Sequence, residues 1–131
     1  MDEFSLLAII AFDEIATCRG YSRDREFYSE LGHPAFLAWI KATIADEVTH
    51  ATNAVRVIHR HHSHRMSELD SILNQWIQSA TPYENYRGTF LMDSLGLGYF
   101  EDDFVEFSSN LRRLFTSPEI LERTAGKTVT F

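Results

Sequence analysis

Three side chains in this sequence could hold a metal ion together: Glu14, Glu47 and His50. Glu47 and His50 stand three residues apart in the stretch IADEVTHA (44–51), which otherwise reads as a buried helix. Glu14 shares a helical face with Leu7, Ile10, Ala11, Cys18 and Tyr21. A carboxylate among such neighbours loses hydration worth several kcal/mol unless something compensates it. A shared divalent cation is one compensation, and carboxylates with an imidazole suit a hard-to-intermediate ion. An E-x-x-H pattern alone is a weak signal. The chemistry depends on whether Glu14 meets it.

The elements that must position these residues are two long helices. The first is expected from about Asp2 to Leu31, with Gly32 as its C-terminal cap and His33-Pro34 turning the chain. Its Phe4–Phe12 segment is apolar almost all round and predicts burial on several sides. The second is expected from Pro34 to about His64, with Phe36, Ile40, Ile44, Glu47, Ala51, Ala54 and Ile58 along one stripe. The tight turn makes the two antiparallel. Glu14 lies 18 residues before Gly32 and Glu47 lies 15 after it, which puts them roughly 27 Å and 23 Å from the turn. They are nearly level, and His50 is one turn farther along, so the three can converge in the seam.

Glu14 followed by Asp46-Glu47-Val48-Thr49-His50 resembles the half-site of the ferritin-like diiron carboxylate proteins, which place Glu on one helix and Glu-x-x-His on the next, twice over. The D-E-x-x-H form is similar to that of the p-aminobenzoate N-oxygenase branch. The resemblance covers roughly residues 1–64 and implies Glu14, Glu47 and His50 as iron ligands, with Asp46 orienting a ligand histidine through a hydrogen bond. It also implies an all-α, ferritin-like helix bundle and a diiron cofactor, with manganese as an alternative metal. A second Glu-x-x-His is missing: no histidine follows His64, and Glu84, Asp93, Glu101, Asp102, Asp103 and Glu106 begin no such motif. A two-fold homodimer would supply the second ligand set, and the apolar first helix is what its interface would need. A different partner chain bearing the missing half is the other remedy.

The rest of the chain reads as about three shorter helices in the same domain. One follows Ser67, with Ser67 and Asp70 as a capping pair. Another opens at Thr81-Pro82-Tyr83-Glu84 and stops at Gly96-Leu97-Gly98. The last carries Phe100, Phe104, Phe107, Leu111, Leu114 and Phe115, before a short turn at Ser117-Pro118-Glu119 and an irregular tail. These aromatics read first as core, although they could also wall a substrate cavity.

A chain of 131 residues, 44% hydrophobic, is large enough for one core and too apolar for disorder. A net charge of -7 argues against general nucleic-acid binding. Asp13 and Glu14 interrupt the first apolar run, so no membrane span or signal peptide is expected. The single cysteine, Cys18, fits a reducing cytoplasm. His61 and His64 offer a pair for an accessory metal, but His61 stands about 16 Å beyond His50, too far to share its site, and a solvated helix end is the plainer reading. Gly126-Lys127-Thr128 has no phosphate-loop context. The expected function is O2-dependent oxidation of a small organic substrate at a diiron site. The alternatives are ferroxidase or iron sequestration with the same ligands, or a metal-free helical dimer acting as an interaction module.

Overall fold

Helix α1, Glu3–Glu30, starts where the carboxylate of Asp2, in extended backbone, accepts the Ser5 N–H at 2.9 Å. It stops at Leu31 and Gly32, the latter in the left-handed region at φ 68°, where glycine is free of the Cβ clash. Helix α2, Pro34–His61, follows at once, its proline in the first turn and His33 Nδ1 accepting the Ala35 N–H at 3.2 Å. The computed structural model describes residues 1–79, 101–118 and 120.

Contacts along the two helices run in opposite order. Tyr28 meets Phe36, Tyr21 meets Trp39, the Cys18 thiol donates to the Ile44 carbonyl at 3.8 Å, and Glu3 reaches His62 at 3.1 Å. The pair is antiparallel, as the short turn requires. A 3-10 helix, Ser63–Glu68, then leads into α3, Leu69–Ser79, and α4 spans Glu101–Phe115. Among the described residues the architecture is an all-α bundle, with α3 and α4 packed on the long pair.

The core lies where α1, α2, α3 and α4 meet. Phe4, Ala8, Ala11 and Phe12 from α1 are buried against Val55, Ile58, Leu73, Phe107 and Leu111. Alanines at positions 8, 11 and 16 leave room for close helix approach. Phe12 and Phe107 meet edge to face with ring centroids 6.0 Å apart.

Three expectations change. Helix α2 ends at His61, not near His64, because tertiary contacts turn the chain. His59 Nε2 is 2.7 Å from the Phe115 carbonyl, and Arg65 pairs with Asp2 and Glu68 while lying over the Phe4 ring at 4.7 Å. That turn brings Leu69 and Leu73 into the core, and α3 begins at Leu69, with Ser67 inside the 3-10 helix instead of capping it. Finally, Phe4–Phe12 is not buried all round: Leu6 is 48% and Ile10 38% exposed, because the other described helices do not cover their face of α1. The helix expected from Thr81 lies outside the described residues. In α4, Phe107, Leu111 and Phe115 are buried as the helical spacing predicts, and Leu114 is partly so. No described helix is long and apolar enough to cross a membrane.

Candidate metal centre

Helical geometry puts Glu47 and His50 on neighbouring turns of α2, and His50 Nδ1 lies 3.0 Å from Glu47 Oε2. From the opposite helix, Glu14 Oε1 comes within 3.6 Å of the same nitrogen. One donor atom from each of the three falls within 4.8 Å of the others. Donors bound to one ion at about 2.1 Å lie no more than about 4.2 Å apart, so small side-chain adjustments would close this set around a cation. Among the described residues no other group of three histidine, cysteine or acidic side chains is so placed.

Electrostatics supports the same reading. Burial, aided by the hydrogen bond and charge of Glu47, pushes the Glu14 carboxyl up to about 7. The hydrogen bond with Glu47 raises His50 against its own desolvation. Burial raises the Cys18 thiol to about 11, with the charges of Glu47 and Glu14 adding to it. Burial, then the charge of Glu47, raises the Tyr21 hydroxyl. Two carboxylates therefore project negative potential into the seam, and one imidazole stands against them. The cluster is open on one side: the Glu14 and Glu47 side chains are 22% and 16% exposed, but that of His50 is 56% exposed.

Asp46 is exposed, and the hydrogen bond of His50 Nδ1 goes to Glu47. His61 is exposed at the last residue of α2, and His64, also exposed, is on the 3-10 helix, so they do not share a helical face. Glu106 sits 3.9 Å from Arg19 and is not among the clustered donors. Glu84 and Asp93 lie outside the described residues.

A cavity of about 300 Å³ opens beside the cluster, lined by Ile15, Cys18 and Arg19 from α1, Val48 and Ala51 from α2, and Asn110 and Leu114 from α4. Cys18 and Ala51 of its lining each follow a cluster carboxylate by one helical turn. Phe107 and Phe115 do not line this cavity, since their rings fill the core instead. Sequence reasoning passed over Arg19 and Asn110, which break no pattern on their helices. Only the packing of α4 reveals them. No family model, curated protein or solved structure matches the chain.

Proposed function

We propose that this protein is a small ferritin-like, non-haem diiron protein that uses O2 to oxidise a small organic substrate. The convergence of Glu14, Glu47 and His50 from two antiparallel helices carries the proposal. Two carboxylates and an imidazole would hold a divalent ion, and such a site, once loaded with iron, supplies O2 activation. Iron is favoured, and manganese would fit the same donors.

Three ligands with an open flank are half of a dinuclear site. Leu6, Ile10 and Val57, exposed by 48%, 38% and 36%, are apolar residues that a second copy would cover. A two-fold homodimer would then bring two ligand sets face to face and shield His50 from water. Asp46, exposed in the single chain, could orient a histidine across that interface. The chain's own contributions are to fix the ligands on rigid helices, to exclude water from the seam, and to hold a small substrate in the adjoining cavity.

The exposure of His50 also favours a second reading, ferroxidase activity, because Fe(II) could reach an open cluster directly. Elemental analysis with native mass, giving metals per dimer, tests the metal reading. Two irons per dimer, lost in Glu47→Ala, are expected. A dimer free of iron, manganese and zinc after iron-replete expression, with stability indifferent to chelator, would instead mark an interaction module whose His50 alone offsets the carboxylates. Consumption of O2 that depends on Fe(II) and on no organic compound would select the ferroxidase.

A further inference from the structure

We propose that Tyr21, Trp39 and Tyr28 form a one-electron relay from the metal-binding cluster towards the tip of the helical pair. Tyr21 follows Glu14 by seven residues on nearly the same face, roughly 10 Å along α1. Its ring meets Trp39 at 6.0 Å between centroids, with planes at 84°. Trp39 meets Tyr28 at 5.7 Å and 70°. Phe36 continues the line at 5.8 Å from Tyr28, and His33 lies 5.8 Å beyond it.

Tyrosine and tryptophan are the side-chain rings that give up an electron most readily, and at these separations they exchange it by short hops. Three of the four such rings among the described residues stand in this line. The fourth, Trp76, is on α3. The rings pack across the α1–α2 seam, but the core does not enclose the line they form. Trp39 is 49% exposed and belongs to no buried cluster. Only Tyr21 packs partly against the core. The line thus begins half-buried near the carboxylates and opens to solvent at Trp39 and the exposed Phe36.

The relay rests on the diiron reading for its oxidant, an O2-derived oxidising equivalent at the cluster. Tyr21 gives it one electron and releases its phenolic proton to water. Trp39 refills Tyr21, which takes a proton back, and the indole is left one electron short. A one-electron reductant of the ascorbate class in solution refills Trp39, either directly or by way of Tyr28, which gives up and then regains an electron and its phenolic proton. Net, one oxidising equivalent is reduced, one reductant molecule is oxidised, and the rings are restored. An uncoupled turnover would discharge harmlessly at the surface.

The test uses metal-free protein, so its outcome is separate from the metal assay. In a background with Trp76, Tyr83, Tyr86 and Tyr99 each replaced by Phe, azidyl radicals from pulse radiolysis oxidise Trp39. The indolyl absorption should decay as phenoxyl absorption grows, at a rate independent of protein concentration. Replacing both Tyr21 and Tyr28 with Phe should slow that transfer at least about tenfold. Phenoxyl growth unchanged in this variant, or no transfer from Trp39 at all, would overturn the relay. Circular dichroism of the variants, expected to match the parent, confirms that the effect belongs to the rings.

Discussion

Replacing Glu14 with Gln should stabilise the protein without metal and weaken it with metal. The shape of the side chain is kept and one negative charge is removed. In the folded chain burial and Glu47 lift this carboxyl from the ordinary carboxylate range to about 7. Keeping it ionised at pH 8 would cost at most about 3 kcal/mol. Solvent screening through the open flank, where the His50 side chain is 56% exposed, reduces the expected figure to about 1 kcal/mol. The sign follows from proton linkage: the folded chain holds the Glu14 proton more tightly than the unfolded chain does. Its stability therefore declines as pH rises from the ordinary carboxylate range through about 7. His50, raised by its bond to Glu47, stabilises the fold when protonated and loses that contribution as pH rises through its folded pKa. Urea unfolding with chelator at pH 8 should show Glu14→Gln more stable than the parent by about 1 kcal/mol, a margin that shrinks towards pH 5. With Mn(II) at a hundredfold excess over its Kd, the parent should gain about 2.7 kcal/mol and the variant much less, reversing the order. A variant no more stable than the parent in chelator, or equal stabilisation of both by metal, would refute the argument.

If the proposed homodimer forms through this face, Ile10→Asp should abolish it in analytical ultracentrifugation and lower metal content while leaving helicity unchanged. Phe12→Ala should lower unfolding free energy by about 3–5 kcal/mol in urea titration, since the ring is fully buried against Phe107. Cys18, with its thiol pushed up to about 11, should react with iodoacetamide at pH 8 at least about tenfold more slowly in the folded chain than in urea, as followed by mass spectrometry.

The helical pair and its cluster were legible in the sequence because both follow from local rules. Period and spacing put Glu47 and His50 on one edge of a helix, and a turn of three residues levels them with Glu14. The end of α2 was not legible. It depends on His59 meeting Phe115, His62 meeting Glu3 and Arg65 meeting Asp2, contacts between residues 56, 59 and 63 positions apart. No window of local sequence contains them. The open Leu6 and Ile10 face was hidden for a related reason: an all-round apolar helix does not say which neighbours are present. The cavity beside the cluster needed the placement of Asn110 and Leu114 on α4, which only tertiary structure supplies.

The Asp2–Arg65 and Glu3–His62 contacts lie at the end of the helical pair opposite Gly32. The two rods are thus pinned at both extremities, with Glu14, Glu47 and His50 mid-span. Sliding or twisting of either rod is resisted by both anchors at once, so the spacing of Glu14 from the α2 donors is set by the whole length of the hairpin. One extra residue inserted in α1 between Glu14 and the turn would swing this carboxylate through about 100° relative to α2 and part it from Glu47 and His50 while leaving all three side chains in the chain.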